Sequence, residues 1–410
     1  MKNILHVFRR ISRGMSFVWS REFRTSFRDE AVLVFILLVP LGYPLIYSFI
    51  YDNEVVREIP VAAVDESNSS LSREFIRLVD ATASVDVVSR CSDLEEAREL
   101  MRRHKIYGII QIPEDFSRKL NRGQSTNVSV FCDLSSLLYY KSLLLAATDV
   151  SLDMNADIKL RYFGGSTARQ DEIAVAPLKY EEVNIFNPTT GMATFLIPAV
   201  LVLILQQTML LGVGVAAGTM KERNMFRAYS RIGRKPAGTC LIVIGRALLY
   251  VAVYSVVALY VLGIVPIIFR LNHIGHFVDI AAFMLPYLLA VAFFAMTLSH
   301  FIKSREACML LIVFTSLLLI FISGLSWPGA SVPTFWKYVS YLIPSTAGIN
   351  GFVRLNSEGA RLYQVAFEYR LLWAQAAFYF LTACLVMRHD IAESCRNFGR
   401  LLSRKTVSGA

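Results

Sequence analysis

Charged and apolar positions separate along this chain over stretches longer than a soluble core helix needs. Asp, Glu, Lys and Arg are absent from six runs, at 31–51, 183–220, 247–269, 280–302, 307–336 and 371–387. About 20 apolar residues rising 1.5 Å each cross the hydrocarbon core of a bilayer. Five runs pass that length easily and the last, at 17 residues, just reaches it. The pattern predicts a polytopic α-helical membrane protein with six transmembrane helices. The first spans 31–51 and the other five lie within 191–388.

Between the first two runs the period changes. Residues 52–190 alternate short β-rich segments (PVAAVD at 60–65, Val85–Ser89, IYGIIQI at 106–112, Asn127–Asp133) with helical ones. Strands alternating with helices imply an inserted α/β domain large enough for its own core. The spacing Ser92-x-x-Glu95 predicts a capping box opening one of its helices. A long helix is expected from Leu137 to about Phe163, with Gly164-Gly165 breaking it and an extended return over 173–185. Asp65-Glu66-Ser67 follows a strand, but capping by Asp65, Ser67 or Ser69 explains it more simply than chemistry.

Charge orients the spans. Residues 1–30 carry seven Lys/Arg against three acids, 218–240 carry six against Glu222 alone, and the tail beyond the last run carries five against two. With Lys303 and Arg305, these segments fall on one side of the six runs, which the positive-inside rule makes cytoplasmic. Both termini are therefore expected in the cytoplasm, with 389–410 as a cytoplasmic tail. Residues 52–190, with 22 acids and 16 bases, are expected outside. The net charge of +10 lies beside membrane spans, where it reads as topology and lipid-headgroup contact rather than nucleic-acid binding. Residues 1–30 also place Ile4, Phe8, Ile11, Met15, Val18, Phe23 and Phe27 at helical spacing among arginines, the pattern of an interfacial amphipathic helix. Of six cysteines, Cys91 and Cys132 fall outside, where they can form a disulfide or serve as small residues at strand ends; no spacing suggests a metal.

No acid or base sits at the centre of a run, which argues against ion coupling. Gln206 and Gln207 are the most polar pair in the second run, placed to line a path or bond a neighbouring helix. Arg246 lies at the cytoplasmic edge of the third. No P-loop is present: Gly233-Arg-Lys-Pro-Ala-Gly238-Thr239 lacks the phosphate-binding lysine. Energy must then enter from a partner. The loop 218–240 offers a place for it, since Met225, Phe226, Tyr229 and Ile232 can form one apolar face among basic residues before Pro236 ends the stretch. A plain positive-inside loop is the competing reading.

The layout resembles the permease subunit of type-2 ABC exporters that carry a large external domain between the first two helices. Three features carry the resemblance: the order of elements, Glu222-Arg223 followed by Gly245-Arg246, and the segment from Ser323 to Leu355 with Gly324, Pro328, Pro333, Pro344 and Gly351. Met225-Phe226 stands where relatives often have Gly-Thr. The resemblance implies a dimer, with an identical or paralogous second permease, in a bacterial inner membrane. It also implies separate ABC ATPase subunits holding ATP and Mg, and in Gram-negative relatives a periplasmic adaptor protein. It assigns coupling to Lys221, Glu222, Arg223, Asn224 and Phe226, and an outer gate to a re-entrant segment over 326–355 with Trp327, Pro328, Pro333 and Pro344. The chain itself would carry no cofactor and no catalytic residue. A membrane-anchored sensor lacks an output module here, and a membrane-embedded enzyme lacks a polar constellation.

Overall fold

In a computed structural model of the chain, residues 2–51, 55–134, 137–162, 185–187, 191–323 and 332–408 are described. The Gly164-Gly165 break, most of the 173–185 return, and Trp327 and Pro328 lie outside them. The chain divides into two compact units, Val55–Val183 and the remainder.

The remainder opens with α1 (Lys2–Ser26) and α2 (Glu30–Ile50), the latter carrying a π-helical turn at Val34–Leu38. The Val55–Val183 unit follows, with β1 (Ile59–Asp65), α3 (Ser70–Asp80), β2 (Val85–Cys91), α4 (Leu94–Arg102), β3 (Gly108–Ile112), α5 (Phe116–Asn121), β4 (Ser129–Cys132) and α6 (Leu137–Tyr162). The sheet order is β2-β1-β3-β4, with β1 parallel to both neighbours and β4 antiparallel to β3. Strand periodicity divides β1 between two cores. Ile59, Val61 and Ala63 pack with Phe75, Ile76 and Val79 of α3 and with Leu143, Ala146, Val150 and Met154 of α6. Ala62 and Val64 pack on the other face with Ala97 of α4. A strand covered on both faces reads as a continuous apolar run, as PVAAV does.

Two local expectations change here. The Ser92 capping box is displaced by one residue: Asp93 is the N-cap of α4, accepting from the Glu96 amide at 2.7 Å, while Ser92 bonds the Glu96 carboxylate. Cys91 and Cys132 lie on β2 and β4, the two opposite edges of a four-stranded sheet, and are free thiols. Three strand spacings, about 14 Å, separate those edges, too far for a disulfide. Asp65 does serve structure, taking amides of Ser67 and Asn68 and the Ser72 hydroxyl, while Ser69 caps α3.

Beyond this unit come α7 (Met192–Glu222), a 3-10 turn at Met225–Tyr229, α8 (Pro236–Ile268), α9 (Phe277–Leu298), α10 (Arg305–Ile322), α11 (Thr334–Ser340), α12 (Pro344–Ser357) and α13 (Ala366–Ser408). Among the described residues, five helices are long and apolar enough to cross a membrane: α2, α7, α8, α9 with its 3-10 end, and α13. α10 covers the first part of the fifth run. Large apolar side chains such as Phe49, Val256, Ile267, Phe314 and Leu385 stand exposed on these helices. A bilayer solvates such a surface, whereas water does not.

Prolines shape the segment after α10. Pro333 is the N-cap of α11 and Pro344 occupies the first turn of α12, so each starts a helix rather than interrupting one. The carbonyls between them are anchored on α13. Gln375 donates to the Tyr341 carbonyl at 2.6 Å, and the Tyr379 hydroxyl donates to Leu342. Those residues sit 9 and 13 positions into α13, about 14–20 Å along its axis. α12 then climbs back, and its Asn356 carbonyl accepts from the amides of Ile274 and Gly275 in the link between α8 and α9.

α12 packs closely on α9 because it presents glycine. A Cβ on Gly351 would lie 2.2 Å from Phe283 Cζ, and one on Gly348 would lie 2.3 Å from Tyr287 Cε2. Both rings are fully buried and cannot retreat. Gly351→Ala is expected to cost about 1–3 kcal/mol through overpacking, read as a lower melting temperature of the purified protein. Gly42→Ala, which meets nothing within 4 Å, should leave that temperature unchanged or slightly raised.

Candidate functional site

One end of the helix bundle carries its buried charged side chains among the described residues, Glu22, Arg246 and Asp390. It is built from α1, the turn between α7 and α8, the 299–304 link and the last third of α13. α1 reaches α8 through small residues: a Cβ on Gly245 would meet Met15 and Val18 at 3.0 Å. That closeness brings Glu22 of α1 to Arg246 of α8, with side chains 0% and 2% exposed and an N–O distance of 2.7 Å. The same carboxylate accepts from Tyr250 at 2.9 Å and from Tyr229 at 3.2 Å, and Tyr250 shares a hydrogen bond with Ser26. Burial, reinforced by the Glu22 charge, pushes the Tyr229 phenol above its ordinary range and keeps it a donor. The Arg246 guanidinium also lies over the Phe226 ring and beside Met220. Four elements therefore share one buried ion pair.

Two further clusters hold the turn from its sides. Asp29, in the link from α1 to α2, accepts from Thr219 of α7 at 3.0 Å and from Arg305 of α10 at 2.7 Å. The Arg305 amide donates to Glu222 at 3.2 Å. On the other side Ser394 of α13 donates to the Asn224 carbonyl and accepts from the Arg227 amide, while the Arg227 guanidinium sits 3.4 Å above the Phe398 ring. Asn224 has φ of 52°, a left-handed conformation that asparagine tolerates and that reverses the chain after α7.

The predicted coupling residues divide into two sets. Glu222 and Arg223 are exposed, as are Arg227, Arg231, Arg234 and Lys235 beside them. Phe226 is 1% exposed, and Lys221 points into the bundle, donating to the Ser299 carbonyl at 2.6 Å and the His300 carbonyl at 3.2 Å. Both of these line a groove beside the exposed residues rather than standing out from the surface. The apolar face expected at 225–232 exists, with Phe226 and Tyr229 buried inward. Pro236 does not end that stretch but begins α8.

Gln206 and Gln207 lie about 21 Å along α7, near its middle. Gln206 is fully buried, and neither its amide nor that of Gln207 has a hydrogen-bond partner among the described residues. The expected bond to a neighbouring helix is therefore not made within those residues. Of the outer-gate residues, Pro333 and Pro344 frame the dip between α11 and α12, far from the charged end.

In the sequence Glu22 stands out only as one of three acids among seven bases in residues 1–30. A usable signal was present: Glu22 follows Val18 by four residues on the apolar face of α1, and Arg246 stands next to an uncharged run. An isolated acid and an isolated base, each in apolar surroundings, demand each other.

Residues 31–385 match the family model described as ABC-2 family transporter protein. The linearmycin resistance permease protein LnrN of Bacillus subtilis (strain 168) is 22% identical over 381 residues, covering 86% of this chain and 94% of its own length. With the match reaching from the first apolar run almost to the end of the last, the chain belongs to the ABC-2 transporter family and is a multi-pass membrane transport component, in line with the resemblance its residues carry.

Proposed function

We propose that the chain is the membrane-spanning permease subunit of an ATP-driven exporter, moving a substrate out of the cytoplasm or inner membrane with power from separate ATPase subunits. One observation carries this reading. The strip from Glu222 to Arg231 is fastened to α1 through buried Tyr229, to α8 through buried Phe226, to α10 through Glu222 and to α13 through Asn224 and Arg227, so displacement of that strip displaces several helices together. Displacement by a nucleotide-bound partner is the input such a surface fits.

The rest of the reading follows the charge pattern. Six spans, with α10 and the following dip as the fifth, leave both termini and the charged end in the cytoplasm of a bacterial inner membrane and the α/β unit outside. Two permease chains, identical or paralogous, enclose the path, and Gln206 and Gln207 face it. The segment with Trp327, Pro328, Pro333 and Pro344 forms the outer gate. ATP and Mg belong to the partner. For the α/β unit a docking role is supported by Leu138, Leu145 and Leu152, spaced by seven on α6 and exposed. A second chain or a periplasmic adaptor is the occupant. The name of the Bacillus relative attaches it to linearmycin resistance, which makes linearmycin the first cargo to assay.

The test is reconstitution with a cassette ATPase. Glu222→Ala/Arg223→Ala is expected to leave the complex assembled while cutting permease-stimulated ATPase activity about tenfold, equivalent to ~1.4 kcal/mol of lost interaction. Full stimulation in that variant would remove the coupling assignment. Failure of any cassette ATPase to respond to the unsubstituted chain would remove the exporter reading altogether.

A further inference from the structure

Beside the strip just described lies a groove of about 450 Å³ whose chemistry the transport reading does not use. His300, from the 3-10 end of α9, and His389, on α13, stand with ring centroids 5.2 Å apart. Asp390 adjoins them, and one ligand atom from each of the three lies within 4.8 Å of the others. Glu393 lies one turn beyond His389 on the same helix face, its carboxylate 3.9 Å from His389 Nδ1. The two histidines are exposed, whereas the Asp390 side chain is only 3% exposed.

The Asp390 carboxylate supplies the second observation. Its Oδ1 is buried without a hydrogen-bond partner. Lys221 Nζ, which donates to the Ser299 and His300 carbonyls at 2.6 and 3.2 Å, forms a longer ion pair with it at 3.5 Å. A buried carboxylate oxygen held only by that long ion pair, beside two imidazoles, has room for a second positive centre. We infer that His300, His389 and Asp390, with Glu393 as a fourth donor, form a binding site for a borderline divalent transition-metal ion such as Zn²⁺.

The donor set suits that class. Two imidazoles and two carboxylates favour Zn²⁺, Co²⁺ or Ni²⁺ over Mg²⁺ and Ca²⁺, which take oxygen ligands. Tetrahedral ligands about 2.0–2.1 Å from zinc lie about 3.4 Å from one another. The cluster therefore needs a closure of about 1.4 Å, within reach of rotamer changes in exposed His300 and His389 and in half-exposed Glu393. Lys221 and Lys303 also line the groove and oppose a cation, which weakens the site relative to one without them. The ion would join the link after α9 to α13, one turn from the contact between Ser394 and Asn224. It would hold the charged end in a single arrangement.

The test uses the full chain in detergent or nanodiscs, stripped with chelator and titrated with Zn²⁺ alone, with Co²⁺ as a spectroscopic probe. Expected are one saturable ion per chain, visible Co²⁺ absorption of a nitrogen- and oxygen-ligated site, and a raised melting temperature with metal. His300→Ala or His389→Ala should weaken binding at least tenfold, and the double variant should abolish it. Glu393→Gln should weaken it less. Melting without metal should be unchanged, because both histidines are exposed. His104→Ala and His276→Ala serve as controls and should bind as the unsubstituted chain does. Stoichiometry and affinity retained by the double variant, or no saturable binding by the unsubstituted chain, would overturn the site. Neither result depends on an ATPase partner, so the transport reading stands or falls separately.

Discussion

Arg246→Ala should be among the most damaging single substitutions in the chain, costing about 3–5 kcal/mol of stability. The cost lies in what is left behind. Removing the guanidinium strands the Glu22 carboxylate in a site that is 0% exposed, with only the hydroxyls of Tyr229 and Tyr250 to solvate it. Glu22→Ala should cost a similar amount by stranding the arginine. The informative variant is Glu22→Leu/Arg246→Leu, which removes both charges. Replacing a buried ion pair with apolar residues is often near neutral, so the double variant should recover most of the loss and cost far less than the sum of the two single variants. Thermal melting in nanodiscs of the parent, the Glu22→Leu and Arg246→Leu single variants and the double variant supplies the cycle. If the single variants melt like the parent, Glu22 and Arg246 do not hold α1 to α8. If the double variant recovers melting but stays inactive with its ATPase, the pair transmits movement as well as holding the helices.

How far the sequence foretells this arrangement depends on the range of the interactions. The spans are legible because a bilayer excludes charge at every position, so a local count finds them. The α/β unit is legible because short apolar runs such as PVAAV alternate with amphipathic helical segments. Caps are less so: Ser92 and Asp93 are equally good N-caps in isolation, and only the backbone of α4 decides for Asp93. The charged end is hardest to read. Glu22 and Arg246 are 224 residues apart, and Lys221 and Asp390 are 169 apart. Nothing local separates Lys221, turned inward onto carbonyls, from Arg223, exposed two positions later. In the loop 218–240 the sequence does mark an apolar stripe among basic residues, and Phe226 and Tyr229 turn inward there. It does not show that Lys221 turns inward as well, because that is set by packing against the 299–304 link and α13, the latter about 170 residues downstream.

Gln206→Leu should make the isolated chain more stable and the transporter worse. Leaving a buried amide without a partner costs about 1–3 kcal/mol, and both polar atoms of Gln206 are in that state. Leucine fills similar volume with no polar group, so melting of the solitary chain should rise by an amount matching that range. Gln207→Leu should behave alike, more weakly because Gln207 is less buried. A helix buried almost all round gains nothing structural from these amides within the described residues, so their use lies in what they meet during transport. Cargo, water along a path, and the second permease chain all supply hydrogen bonds there. Export measured in cells or proteoliposomes should therefore fall for Gln206→Leu/Gln207→Leu while assembly and melting hold. Gln206→Asn, which keeps the amide one methylene shorter, should retain part of the activity, whereas a purely steric role would treat Asn and Leu alike. Lower melting of Gln206→Leu would mean that the amide already has a partner. Undiminished export by the double leucine variant would take both residues off the path.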